Sequence, residues 1–177
     1  MKTYLDCFPC FLNQALRAGR IATDDEKKIK RVLDAAHEIL YIGDNAGECV
    51  FDKILIEEMK KPVTYAVRDA PIINDATYED AVQAGIDSVA TIISSGTDAP
   101  GAILETCSAE FKKLYHNSSF IISKGQGNYE ALSIEMGPIF FLLKVKCQVI
   151  ANDIGVNKGD IVLKASNPDK FYLEKES

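Results

Sequence analysis

A chain of 177 residues with a formal net charge of −6 is long enough for one domain with a core of its own, and its acidity argues against nucleic-acid binding, which needs a basic face. With 47% apolar and 26% charged residues it lies away from the compositions that stay disordered. The longest apolar run, Ile139 to Leu143, is far below the roughly 20 residues that span a bilayer, and the N-terminus lacks the apolar stretch of a secretory signal. A soluble, cytoplasmic protein with no membrane partner is expected.

In chain order, the first feature is Cys7-x-x-Cys10. No strand precedes it, so a thioredoxin-type redox pair is not expected; half a zinc site and simple packing both stay open. Five cysteines, an odd number, do not suggest a disulfide framework and are read as reduced. Cys107 falls in a helical pattern and Cys147 in a strand pattern, both as small buried side chains. Phe11 to Ala18 and Asp25 to Ile39 read as helices, the second with Thr23 or Asp24 as N-cap candidates and Ile29, Val32, Leu33 and Ala36 at helical spacing.

From Ile39 onward short apolar runs alternate with helix-like stretches. Strands are expected at Ile39 to Gly43, Val63 to Val67, Val89 to Ser94, Phe120 to Ser123, Phe140 to Ala151 and Ile161 to Leu163. Helices are expected at Glu48 to Met59, Thr77 to Ala84, Ala102 to Tyr115 and Tyr129 to Met136. The alternation predicts an α/β fold, a Rossmann-like three-layer sandwich with a mostly parallel sheet, preceded by short N-terminal helices. The last two strands show no helix between them, and the turn-like Gly155 and Asn157 to Gly159 suggest that the final strand runs antiparallel at an edge. One domain is expected: a helical segment over 1–38, a sheet core over 39–166 and a charged tail over 167–177.

In an open parallel sheet, ligands bind outside the carboxyl ends of the strands. Four successive runs deliver small, polar, glycine-rich loops to that rim: Gly43 to Glu48, Arg68 to Thr77, Ser94 to Gly101, and Ser123 to Glu130. Asp44, Asn45 and Asp75 offer two carboxylates and an amide oxygen, the donors a hard divalent cation takes. The competing reading makes Asp44 and Asp75 helix N-caps. Lys124, followed by Gly125 and Gly127, is a candidate anion-binding group, with a solvated surface lysine as the alternative. Gly96, Thr97 and Asp98 could present backbone donors and a hydroxyl to a phosphate, although taken alone they read first as a plain loop.

The strings IGDNAGE from Ile42, PIINDAT from Pro71 and ISKGQGNYE from Ile122 together resemble the signatures of the metal-dependent damage-control phosphatases, formerly a domain of unknown function. The resemblance runs in order from about Leu40 to Gly159 and includes the Cys7–Cys10 pair of the prokaryotic branch. It implies that Asp44, Asn45 and Asp75 hold a divalent ion, with Mn²⁺, Ni²⁺, Co²⁺ or Mg²⁺ as candidates. It implies that Lys124 contacts the substrate phosphate; with the loop readings, Asp44, Asn45 and Lys124 are the expected catalytic residues and Gly96, Thr97, Lys124, Gly125 and Asn128 the expected phosphate contacts. The implied activity is hydrolysis of phosphate monoesters of small metabolites, nucleotide-related or sugar phosphates among them, in metabolite repair.

The stretch between Cys10 and Gly43 is shorter than the helical segment such proteins carry there, which leaves the cap over the substrate open. Two rivals stand beside this reading. An S-adenosylmethionine-dependent methyltransferase would use Gly43 to Glu48 as its glycine loop, although the spacing differs from G-x-G-x-x-G. A non-catalytic metal- or phosphate-binding module is the other. An aspartate at a strand end, Asp44 here, can also be a phosphoryl-accepting nucleophile.

Overall fold

The computed structural model describes residues 26–166; the expected helix over 11–18, the Cys7–Cys10 pair and the tail over 167–177 lie outside the described residues. Four strands end in apolar or β-branched runs that the sheet buries: β1 (Ile39–Ile42), β2 (Val63–Val67), β4 (Ile121–Lys124) and β5 (Ile139–Lys144). With β3 (Thr91–Ser94) and β6 (Ile161–Ala165) they form one six-stranded sheet in the order β3-β2-β1-β4-β5-β6. All neighbouring pairs are parallel except β5 and β6. β3 lies at an edge and is only half buried, so its apolar residues cover one neighbour rather than two.

Period-two alternation divides the core. Ile39 and Tyr41, Val63, Tyr65 and Val67, and Ile122 and Phe140 face helices α1 (Glu26–Ala35), α2 (Cys49–Met59) and α3 (Tyr78–Gln83). Leu40 and Ile42, Ala66, Ile121, Phe141 and Leu143 face α4 (Ala109–Asn117), α5 (Gln126–Leu132) and α6 (Gln148–Ile154). The result is the expected three-layer sandwich.

Four expected elements differ. The run expected as one strand from Phe140 to Ala151 is β5 followed by α6, so a helix does separate the last two strands. A continuous apolar run looks the same whether it is extended or helical. Here the split is marked by Ile150 and Ala151 turning inward while Val149 is exposed, and by Gly155 closing the helix at φ 82°. Cys147 is therefore a partly buried N-cap of α6, not a strand residue. β6 is antiparallel, as the turn signals suggested.

The helix expected from Ala102 to Tyr115 is a short 3-10 turn at Leu104–Thr106 and then α4. Ser108 starts α4 by accepting a hydrogen bond from the Phe111 N–H at 3.1 Å, the usual way a serine initiates a helix. Cys107 sits buried in the extended link just before it. The stretch expected as helical from Tyr129 instead forms α5 and ends at Leu132. The helix expected from Asp25 to Ile39 ends at Ala35, because Ile39 is already paired with Val63.

Candidate active site

The strand order reverses between β1 and β4, since β1 continues to β2 on one side and the chain returns to β4 on the other. A crevice opens at the carboxyl ends of such a pair. β1 delivers Gly43, Asp44 and Asn45 there, and β4 delivers Lys124 and Gly125. The two loops approach closely enough to require glycine. A Cβ on Gly43 would lie 2.7 Å from the Tyr65 hydroxyl, and one on Gly125, at φ 80°, would overlap the Asp44 carboxylate.

The loop after β2 is zipped onto the loop after β1. The Ala76 N–H donates to the Asp44 carbonyl at 2.7 Å, the Ala46 N–H to the Asn74 carbonyl at 2.9 Å, and Asn45 and Asp75 form an isolated antiparallel bridge. Asp44, Asn45 and Asp75 are thereby gathered at one place. The turn includes Ile73, a β-branched residue held at φ 50° and 84% exposed, which is a strained conformation.

The capping alternatives resolve differently from residue to residue. Helix α3 is capped by Thr77, whose hydroxyl accepts from the Asp80 N–H while Asp80 accepts from the Thr77 N–H, so Asp75 is not a cap. Asn45 is one: its Oδ1 accepts from the Gly47 N–H at 2.8 Å and starts the 3-10 turn at Ala46–Glu48. A carbonyl oxygen has a second lone pair to offer. The Asp44 side chain makes no hydrogen bond or ion pair among the described residues. Burial, then the charges of Asp75 and Glu48, push its carboxyl up to about 6, against the opposing pull of Lys146 and Arg68.

Sequence reasoning assigned no role to Arg68, yet it organises this corner. It is 2% exposed. Its Nε donates to Asp75 Oδ2 at 2.9 Å and its Nη2 to Asn128 Oδ1 at 2.8 Å. Asp75 thus has one oxygen fixed by a guanidinium and the other left for a ligand. The signal was available: an arginine directly ending the apolar run Val63 to Val67 occupies the same strand-end position in its own strand as Asp44 does after β1.

Asn128 is fully buried, and all its hydrogen-bonding positions are used. Its Nδ2 donates to the Gly43 and Lys124 carbonyls at 3.0 and 2.8 Å, and its Oδ1 also accepts from the Ala102 N–H at 2.9 Å. It ties the ends of β1 and β4 to the loop after β3 and has no donor left for a phosphate. Thr97 is buried with its hydroxyl 2.7 Å from that of Thr106, and Gly96 packs on Ser108. Thr97 braces the loop against the 3-10 turn and Gly96 against the N-cap of α4, and neither lines the pocket beside Asp44.

That pocket is lined by Asp44, Glu48, Lys124, Gly125, Gln126 and Lys146 among others. Of the two readings of Lys124, the solvated surface lysine does not hold: Lys124 is 6% exposed and bonds both Asp52 Oδ1 and Glu48 Oε2 at 2.8 Å. Asp52 is 2% exposed and also accepts from the Tyr41 and Tyr65 hydroxyls at 2.6 and 2.8 Å. Burial alone would lower the pKa of Lys124, but the two carboxylates outweigh it and the net shift is upward. The signal missed here was Glu48 and Asp52 at i, i+4 spacing, which puts two carboxylates on one helix face.

Two exposed lysines line the pocket, Lys144 and Lys146; Lys146 is the one whose charge acts on Asp44, and its side chain has no hydrogen bond or ion pair among the described residues. Its backbone N–H donates to Gln126 Oε1 at 2.7 Å, so the loop after β4 fixes the loop after β5. The apolar run that hid α6 also hid this residue. Among the described residues no group of three or more His, Cys, Asp or Glu side chains is arranged to hold a metal ion; the set at this site is two carboxylates and an amide. Those oxygen donors, with Asp44 partly buried beside the carboxylates of Asp75 and Glu48, fit a hard divalent cation.

Residues 33–162 match the damage-control phosphatase ARMT1-like domain. An uncharacterised protein of Methanocaldococcus jannaschii is 45% identical over 155 residues, 82% of this chain and 51% of that one. Proteins named damage-control phosphatase from Pyrococcus horikoshii and Archaeoglobus fulgidus are 43% and 40% identical, over 81% and 89% of this chain and 52% and 55% of their own lengths. The crystal structure of a DUF89 family protein from Pyrococcus horikoshii superposes with a TM-score of 0.79 at 41% identity, covering 83% of this chain and 53% of that one. The chain spans about half the length of the curated relatives it matches. By the domain match, these identities and the shared fold, this chain belongs to the ARMT1-like damage-control phosphatase (DUF89) family.

Proposed function

We propose that the protein is a divalent-metal-dependent phosphatase that hydrolyses phosphate monoesters of small metabolites, in a damage-control role. The observation that carries this is the convergence of Asp44, Asn45 and Asp75 at the reversal point of the sheet, beside a pocket that presents Lys124 and Lys146. Asp44, Asn45 and Asp75 would hold the ion, which when bound supplies Lewis acidity to the phosphoryl oxygens. Mn²⁺, Ni²⁺, Co²⁺ and Mg²⁺ are the candidates.

The chain's own residues supply the rest. Lys146, held at its backbone by Gln126, offers an ammonium with no partner among the described residues to a phosphoryl oxygen, where fixed charge stabilises the transition state. Arg68 holds Asp75 in one orientation, and Asn128 fixes the ends of β1 and β4 relative to one another. In the net reaction water adds to phosphorus, the P–O bond to the alcohol breaks, and the alcohol leaves with a proton.

The test is a panel of sugar phosphates, nucleotides and a generic aryl phosphate, assayed with each divalent ion after chelation. Turnover that vanishes in chelator and returns with one of the four ions is expected. No turnover with any ion would leave a non-catalytic binding module, and turnover undiminished in chelator would contradict the metal.

A further inference from the structure

Lys124 is paired with two carboxylates that differ in kind. Asp52 is buried, and besides Lys124 it is held by the hydroxyls of Tyr41 and Tyr65, whose rings stack at 5.2 Å. Breaking that pair would strand a buried charge, the costly way to open a salt bridge. Glu48 has a side chain 46% exposed, it lies on the pocket wall, and Lys124 is the only partner its carboxylate has among the described residues. An ion pair of this second kind is weak and exchanges readily.

We infer that Glu48 is a displaceable counter-ion that occupies the anion position on Lys124 until a phosphate takes it. This rests on the reading of the pocket as a phosphate site. Asp52 and the two tyrosines keep the ammonium in place throughout, so the exchange needs only a rotation of the Glu48 side chain about its own bonds. The pocket then binds a phosphate against internal competition, which weakens ground-state and product affinity while keeping Lys124 charged and aimed when the site is empty. The placement of Glu48 after Gly47 at the head of α2 lets it swing outward without moving a helix.

Two variants separate this from a general charge effect. Glu48→Ala removes both the charge and the contact, whereas Glu48→Asp keeps the charge but is one methylene too short to hold the 2.8 Å bond to Lys124. Binding of inorganic phosphate to the Mg²⁺-equilibrated proteins, measured by calorimetry, should tighten in both variants by roughly two- to fivefold, the worth of an exposed pair. Where the wild type turns over, the same variants should lower KM more than they change kcat. Unchanged phosphate affinity in both variants overturns the inference. So does tightening in Glu48→Ala alone, which would report the field of the carboxylate rather than competition for Lys124. An absence of turnover in the wild type would count against the phosphatase reading, while the phosphate titration would still decide this one.

Discussion

Arg68 shows how much of the site depends on a residue that touches no solvent. A carboxylate that ligates a cation through one oxygen needs the other held, and such supporting contacts typically carry 10- to 100-fold in metal affinity. Arg68→Lys keeps the charge but cannot reach Asp75 and Asn128 together with one planar fork. Mn²⁺ affinity of the folded variant should therefore fall by about tenfold or more, as read by calorimetric titration. Affinity equal to wild type would show that Asp75 is oriented without Arg68.

Asp44 makes the second residue-scale prediction. With its folded pKa at about 6 against an ordinary value of 3.8, the native state holds a proton between those values that the unfolded chain has released. Stability of the metal-free protein should then fall as pH rises through that window, by a contribution of about 1–3 kcal/mol from this group. Thermal melts in chelator between about pH 4 and 6.5 should show a larger loss in wild type than in Asp44→Asn. Parallel curves would mean that Asp44 is not under this strain.

At the scale of elements, the convergence of the loops after β1, β2 and β4 was legible because each follows an apolar run that ends abruptly in Gly, Asp, Arg or Lys. What the sequence could not show was which polar groups those loops spend on one another. Asn128, Thr97 and Lys124 are placed on the expected loops, yet their hydrogen bonds go to Gly43, Thr106, Glu48 and Asp52, partners 76 or more residues away for Asn128 with Gly43 and for Lys124 with Glu48. Spacing along a chain carries no information on such pairs. The missed α6 has a local cause instead, an apolar run ambiguous between two periods.

A matched glycine pair tests the close approach of the two loops. Gly125 and Gly159 both have positive φ, 80° and 98°, but a Cβ on Gly159 meets nothing within 4 Å whereas one on Gly125 overlaps the Asp44 carboxylate. Alanine at either position pays about 1–2 kcal/mol for its backbone. Only Gly125→Ala should in addition weaken divalent-ion binding, by about tenfold or more, because only it displaces a proposed ligand. Equal ion affinity in the two variants would mean that Asp44 is not fixed by the β4 loop.

For the whole molecule, the alternation of runs specified the layer architecture, and the strand order β3-β2-β1-β4-β5-β6 then chose where a site could form. Only between β1 and β4 do neighbouring connections depart in opposite directions; Asp44 lies just beyond the end of β1 and Lys124 ends β4. The adjacent β2 adds Asp75 through its loop, so three strands converge on one point without any residue near it in sequence being unusual. The central claim is that this point binds a divalent cation. Calorimetric titration of the metal-free wild type, Asp44→Asn and Asp75→Asn with Mn²⁺ tests it most directly. The account predicts one site in wild type and affinity lowered by at least tenfold in each variant, while stability without metal stays the same or rises as like charges are removed; equal affinity in all three proteins would contradict it.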